Sequence, residues 1–134
     1  MKGCNCYNAE KTIYMTIEEK KIEAWNNANE VDGVDKTVFR KDACGAWIRW
    51  DKYGVQENEM GWEIDHAYPV SLGGTDIKEN LRAMQHQNNA SKGDDYPMYE
   101  AVVTSEGDHN VSNRRYLEIN ESRRQSLRKF YPNA

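Results

Sequence analysis

The stretch from 62 to 94 contains the residues of this sequence whose types and spacing could do chemistry. His66 directly follows Asp65, and Asn80 and Asn89 stand fourteen and twenty-three residues beyond the histidine. Histidine exchanges a proton near neutral pH, which suits it to general acid–base work. Carboxylate and carboxamide oxygens are hard ligands of the kind that Mg²⁺ prefers. The stretch therefore combines a candidate base with candidate metal ligands.

A short β-strand is predicted to present the histidine. Residues 62–66 alternate apolar and polar side chains, which predicts a strand with Trp62 and Ile64 facing a core. Neighbouring strand residues point to opposite faces, so Asp65 and His66 can serve one site only if the strand ends or bulges there. Pro69, which is compatible with a strand ending, follows shortly after.

The rest of the stretch predicts a loop, a second strand and a helix. Residues 72–76 have the glycines and the aspartate of a tight turn, and residues 80–84 form a second strand candidate. From about 85 to 92 the sequence is polar and helix-compatible, and Gly93 is predicted to stop the helix. The predicted order is strand, loop, strand, helix.

These residues together resemble the HNH, or ββα-metal, endonuclease family, whose pattern runs D-H, P, S-x-G-G, N-L and N-x-x-K-G-D. The matching elements are Asp65-His66, Pro69, Ser71-Leu72-Gly73-Gly74, Asn80-Leu81 and Asn89-Ala90-Ser91-Lys92-Gly93-Asp94. Residues 40–54 look like the lead-in found in one branch of small HNH proteins, so the resemblance covers about residues 40 to 95. It implies an α+β fold with a ββα-metal core, short flanking strands and N- and C-terminal helices.

The resemblance implies a role for each site residue. His66 polarises the attacking water, and Asp65 and Asn89 hold one Mg²⁺ or Mn²⁺ ion. Asn80 opens the second strand and hydrogen-bonds the loop that carries His66, which orients the ring. Lys92 either contacts a phosphate from the end of the helix or is a solvated surface lysine.

Two features of the family are missing, and no structural zinc is expected. Many HNH proteins carry paired CxxC knuckles, but Gln85 and Asn88 stand at the downstream positions, and upstream Cys44 is followed three residues later by Trp47. The sequence also lacks further histidine ligands in the helix. His86 shares the face of Asn89 and could be a ligand or support one, although a packed or solvent-facing histidine is the favoured interpretation.

Length and composition predict a single domain spanning residues 1–134. Hydrophobic residues make up 38% and charged residues 30% of the chain, and no apolar run approaches the length of a membrane span. The first residues lack the hydrophobic region of a signal peptide, so we expect a cytoplasmic protein that does not enter membranes. Three cysteines, with Cys4 and Cys6 close together, favour reduced thiols over a disulfide framework.

The termini of the chain predict two helices. Thr16 and Glu19 form a capping-box pattern, which predicts a helix from Ile17 to about Asn27. The net charge is −4, but residues 110–134 carry six basic and two acidic side chains. A basic helix is predicted from about 113 to 130, after a polar loop that holds a second Asp-His pair. Two of its arginines, Arg123 and Arg124, are candidate substrate contacts, although a solvated helix face is equally compatible.

Two functions remain open from the sequence. The first is a metal-dependent endonuclease whose partner is nucleic acid, DNA in preference to RNA because the family mostly cuts DNA. The small size indicates weak sequence preference or a protein partner that supplies targeting. The second is a non-catalytic protein on the same scaffold, an inhibitor or adaptor whose acidic surface binds a basic protein or which binds nucleic acid.

Overall fold

The computed structural model describes residues 14–134, and this part of the chain forms a small α+β fold with three helices and three antiparallel strand pairs. Cys4 and Cys6, which are predicted to be reduced thiols, lie outside the described residues. The helices are α1 (Ile17–Asn26), α2 (His86–Lys92) and α3 (Glu121–Arg128). The strands are β1 (Phe39–Lys41), β2 (Trp47–Arg49), β3 (Trp62–His66), β4 (Leu81–Gln85), β5 (Met98–Glu106) and β6 (His109–Glu118).

Helix α1 begins where the capping box predicts it. The hydroxyl of Thr16 accepts a hydrogen bond from the backbone N–H of Glu19 at 3.1 Å, and the Glu19 carboxylate accepts one from the backbone N–H of Thr16 at 2.8 Å. Both bonds satisfy N–H groups that a helix start leaves without a partner inside the helix. The helix buries Ala24 and Trp25 and so lies with one narrow side against the core.

The predicted order of strand, loop, strand and helix is present in the middle of the chain. Strand β3 pairs antiparallel with β4, and α2 follows β4 without a loop. The side chain of Gln85 caps α2 by accepting hydrogen bonds from two backbone N–H groups of the first turn. Gly93, which has a positive φ of 50°, ends the helix as predicted.

Two hydrophobic clusters hold these elements together. In the first, Trp25 of α1 packs against Trp62 of β3 and Trp50, with ring centroids 5.4 and 5.6 Å apart. The second joins β4, β5 and α3 through buried residues that include Met84, Tyr99 and Leu127. Trp62 is fully buried, and Ile64 packs against the first cluster, as the alternation in β3 predicts. Both clusters include residues of the β3–β4 pair, and this packing fixes the position of the end of β3.

The predicted C-terminal helix from about 113 to 130 is wrong in its first part. Residues 109–118 form strand β6, which pairs with β5 in a hairpin, and α3 spans only Glu121–Arg128. The polar loop predicted around the second Asp-His pair is wrong for the same reason, since that pair lies at the hairpin turn beside Gly107, whose φ is 61°. The sequence of β6 is also compatible with a helix, and hydrogen bonding to β5 decides between the two. The side chain of Asn120 then caps α3.

None of the helices in the described part of the chain has the length and apolar character that a membrane-spanning segment needs.

Candidate active site

A shallow cleft of 210 Å³ brings together three of the residues singled out in the sequence, Asp65, His66 and Asn89. They reach it from the end of β3 and from the middle of α2, which packs against that strand. Its remaining lining residues are Ile64, Pro69, Val70, Gly93 and Asp94. A larger depression of 610 Å³, lined by Trp25, Arg40 and Trp50 among others, contains none of the predicted site residues.

The ring of His66 is held through one of its two nitrogens. Its Nε2 lies 2.6 Å from Oδ1 of Asp76, and the other oxygen of Asp76 lies 2.8 Å from Nζ of Lys20. The described residues offer Nδ1 of His66 no hydrogen-bond partner. The hydrogen bond from Lys20, followed by that from His66, lowers the pKa of Asp76. Asp76 is therefore a carboxylate, and an Nε2–H donor facing it leaves Nδ1 with a free lone pair.

Asp65 lies in a buried ion cluster. Its Oδ2 accepts hydrogen bonds from Nε and Nη2 of Arg82 at 3.1 and 2.9 Å, and its Oδ1 lies 3.3 Å from Nζ of Lys92. Arg82 stands directly opposite Asp65 in the β3–β4 register. The carboxylate is only 4% exposed, so these two cations compensate its loss of hydration. A metal ion bound at Asp65 has to compete with the Lys92 ammonium group.

Lys92 is buried, which matches neither of the two roles expected for it. Its Nζ donates a hydrogen bond to the backbone carbonyl of His66 at 3.1 Å, in addition to its contact with Asp65. Burial lowers the pKa of Lys92, and the negative charge of Asp65 acts in the opposite direction. Lys92 therefore ties the end of α2 to the end of β3, and it faces neither solvent nor the cleft.

Asn89 presents its carbonyl oxygen because its amide nitrogen is already engaged. Nδ2 of Asn89 donates a hydrogen bond to Oε1 of Glu63 at 2.9 Å. Glu63 is two residues before Asp65 on β3, so both carboxylates project from the same face of the strand. Within residues 14–134 the side-chain oxygen of Asn89 accepts no hydrogen bond and is free to bind another group.

Asn80 clamps the loop that follows His66. Its side-chain oxygen accepts a hydrogen bond from the backbone N–H of Tyr68 at 2.7 Å, and its nitrogen donates to the carbonyls of Tyr68 and Thr75 at 3.0 and 3.1 Å. Gly74 allows this close fit, since a Cβ there would lie 1.8 Å from the carbonyl oxygen of Tyr68. These contacts fix the path of the loop between Tyr68 and Thr75.

The two arginines predicted to contact substrate lie outside the cleft. Arg123 donates a hydrogen bond to the backbone carbonyl of Glu79 at 2.9 Å, and burial lowers its pKa. Arg124 is paired with Glu118 at 3.5 Å, so part of the positive charge of α3 is neutralised within the protein. His86, also outside the cleft, has its Nε2 3.1 Å from the carbonyl of Asn58, as expected for a packed histidine.

The donor atoms around the cleft fit a divalent cation that has few protein ligands. The free oxygen of Asn89 and Oδ1 of Asp65 are hard donors, and the carboxylate of Asp94 lines the same cleft. Among residues 14–134 no group of three or more His, Cys, Asp or Glu side chains is arranged to hold a metal. A Mg²⁺ ion at this cleft would take most of its coordination from water and substrate oxygens, as is usual for that ion.

A buried carboxylate joins the segment before β2 to the end of β4 and to α2. Asp42 accepts hydrogen bonds from the backbone N–H groups of Cys44, Ala46 and Gln85 and from Nδ2 of Asn88, at 2.9 to 3.1 Å. Burial raises the pKa of Asp42, and the bond from Asn88 is the largest effect in the opposite direction. Asn88 also bonds the backbone of β5 at Val103. Hydrogen bonds thus link these segments directly.

Three residues of the site, which are Glu63, Arg82 and Asp76, are not identified from the sequence. The sequence pattern does indicate the positions of the first two. Strand alternation places Glu63 on the face of Asp65, and pairing of β3 with β4 places Arg82 opposite Asp65. Asp76 belongs to the predicted tight turn, and its approach to His66 depends on the path of the loop.

Comparisons with models of protein families, with curated proteins and with solved structures found no match to this chain.

Proposed function

We propose that this protein is a metal-dependent endonuclease that hydrolyses phosphodiester bonds. The observation that carries the proposal is the gathering of Asp65, His66 and Asn89 around one cleft from two separate elements. The contact between Nε2 of His66 and Asp76 supports the proposal further, because Nδ1 then has no partner among the described residues. A base beside hard oxygen donors is what hydrolysis of a phosphodiester requires.

His66 acts as the general base. Its Nδ1 takes a proton from a water molecule as the water oxygen attacks phosphorus, and the resulting imidazolium is paired with the Asp76 carboxylate. The bond from phosphorus to the leaving oxygen breaks, and that oxygen takes a proton from solvent. A Mg²⁺ or Mn²⁺ ion held by Asp65 and Asn89 would stabilise the negative charge that develops on the phosphate and the leaving oxygen.

The other residues hold the base and the cation. Asn89 and Asp65 contribute the protein oxygens for the cation, and the amide of Asn89 is oriented by Glu63. Lys92 balances the charge of Asp65 and fixes the backbone at His66. Asn80 keeps the loop after His66 closed.

The substrate is nucleic acid, and DNA is proposed over RNA because the sequence resembles a family that mostly cuts DNA. The carboxylates of Asp65 and Asp94 line the cleft, and the whole chain has a net charge of −4. Such a surface attracts a phosphate backbone weakly, since affinity for nucleic acid comes mainly from lysine and arginine. A protein partner that delivers the enzyme to its target is therefore part of the proposal.

Nicking of a supercoiled plasmid by the purified protein tests this proposal. Cleavage is expected in Mg²⁺ or Mn²⁺ and is expected to stop in EDTA. His66→Ala should lower the rate about 100-fold or more, the size of effect typical of a lost general base. His109→Ala is the matched control, because His109 also follows an aspartate but lies exposed at the hairpin turn. Equal loss in both variants, or full activity in His66→Ala, would contradict the role of His66.

The ion pairs of Asp65 favour a second candidate function, a non-catalytic protein that binds a basic partner or nucleic acid. Arg82 and Lys92 already neutralise the carboxylate without a metal ion. Absence of cleavage in every metal, with Mn²⁺ binding unchanged in Asp65→Ala and Asn89→Ala, would favour this alternative.

A further inference from the structure

Two charged side chains, Lys20 and Asp76, connect helix α1 to the proposed catalytic histidine. Lys20 on α1 contacts one oxygen of Asp76 at 2.8 Å, and the other oxygen of Asp76 contacts Nε2 of His66 at 2.6 Å. Each carboxylate oxygen thus has its own partner. Neither Lys20 nor Asp76 lines the cleft, so both can act on the reaction only through His66.

We propose that Asp76 is the positioning residue that orients the His66 ring and holds its proton on Nε2, and that Lys20 keeps the Asp76 carboxylate in place. This inference rests on the proposed function only where it concerns the rate of cleavage. The orientation of the ring follows from the contacts alone.

The contacts constrain the histidine in two ways. A carboxylate accepts hydrogen bonds but donates none, so Nε2 facing Asp76 must carry a proton. When the ring is neutral, that proton leaves Nδ1 unprotonated and able to accept one. The carboxylate also stabilises the imidazolium formed when Nδ1 accepts a proton, as the aspartate does in a serine-protease triad.

Helix α1 determines where Asp76 can lie. The salt bridge with Lys20 is partly shielded, with side-chain exposures of 27% for Lys20 and 36% for Asp76. Since Asp76 follows the loop clamped by Asn80, its carboxylate is held by the loop on one side and by α1 on the other. The helix therefore has a role at the site although none of its residues reaches the cleft.

NMR of protein labelled with ¹⁵N at histidine tests the orientation without any activity measurement. In the wild-type protein at a pH where the ring is neutral, we expect the shifts of a protonated Nε2 and an unprotonated Nδ1, with a slowly exchanging Nε2–H signal. Asp76→Ala should abolish the slowly exchanging signal. Asp76→Asn preserves the size of the side chain and should shorten the lifetime of the Nε2–H signal. An unchanged signal in both variants would overturn the assignment.

Cleavage assays test the effect on the reaction. Asp76→Ala should lower the rate about 10-fold or more with KM unchanged, because Asp76 orients the histidine that takes the proton. Asp108→Ala is the matched control, because it removes the aspartate beside exposed His109. Loss of the ring signal with wild-type cleavage would refute a role in catalysis. A wild-type protein that shows the signal but cuts nothing would refute the proposed nuclease function and leave the orienting role of Asp76 intact.

Discussion

The carboxylate of Asp42 lies 3.1 Å from the side-chain nitrogen of Asn88, and both residues are fully buried. Asn88 uses its remaining donor and its acceptor on the backbone of β5, bonding the carbonyl of Val103 and the N–H groups of Val102 and Val103. One amide therefore connects the segment before β2, helix α2 and strand β5. Loss of Asn88 should therefore loosen the packing of α2 against β5 and against the segment before β2.

Replacing Asn88 with alanine should lower the free energy of unfolding by about 3 kcal/mol, because it leaves several buried polar groups without a partner. Urea denaturation followed by tryptophan fluorescence measures the change. Asn113→Ala is the control, since Asn113 is exposed on β6 and should change stability by less than about 0.5 kcal/mol. Similar losses in both variants would contradict the role given to Asn88.

Removal of metal ions should leave the fold intact. Hydrogen bonds of Asp42 and Asn88 join the segment before β2 to β4, α2 and β5 without a metal ion, so EDTA is expected to leave the unfolding midpoint unchanged while stopping cleavage. Thermal denaturation with and without the chelator, next to elemental analysis of the purified protein, measures this. A large drop in the midpoint with EDTA would show that a metal holds the fold.

Substitution by alanine should lower the stability of the protein more at Gly74 than at the neighbouring Gly73. A Cβ at Gly74 would lie 1.8 Å from the carbonyl oxygen of Tyr68, so Gly74→Ala should destabilise the protein by about 2 kcal/mol or more through overpacking. A Cβ at Gly73 meets nothing within 4 Å, but its φ of 108° strains an alanine, which should cost about 1 kcal/mol. Urea midpoints of the two variants test the order, and a greater loss at Gly73 would reverse it.

Acid should remove the contribution of Asp76 to stability. Hydrogen bonds from Lys20 and then His66 lower the pKa of Asp76 below its ordinary value of 3.8. A carboxyl with a lowered pKa in the folded state stabilises the protein above its unfolded pKa, and this contribution is lost as the pH falls through the folded value. The difference in stability between the wild type and Asp76→Asn should therefore shrink as the pH falls below 3.8. Denaturation at a series of pH values around and below 3.8 measures the difference, and a difference that grows as the pH falls below 3.8 would contradict the prediction.

The basic side chains of α3 should contribute modestly to DNA binding. A double change of Arg123 and Arg124 to glutamine should weaken binding and reduce the slope of log K against log salt by about 1. The expected effect is small because Arg123 bonds a backbone carbonyl and Arg124 pairs with Glu118. Fluorescence anisotropy in a salt series measures the slope, with Arg49→Gln on β2 as the control. An unchanged slope would leave α3 with a structural role.

The sequence alone determined the local elements around the site. The capping box at Thr16, the alternation in β3 and the glycine after α2 each depend on residues within one turn or strand, so they can be interpreted without a partner elsewhere. The ordered Asp-His and asparagine pattern identified three residues that line one cleft.

Only the tertiary structure decided which groups face one another. Residues 109–118 became a strand because β5 offers hydrogen bonds that the local sequence does not reveal. Asp65 is balanced by Arg82 and Lys92, and His66 is held by Asp76, because pairing and loop closure bring these side chains together across 10 to 27 residues of chain. Contacts between residues so far apart depend on the path of the chain as a whole, which no local pattern specifies.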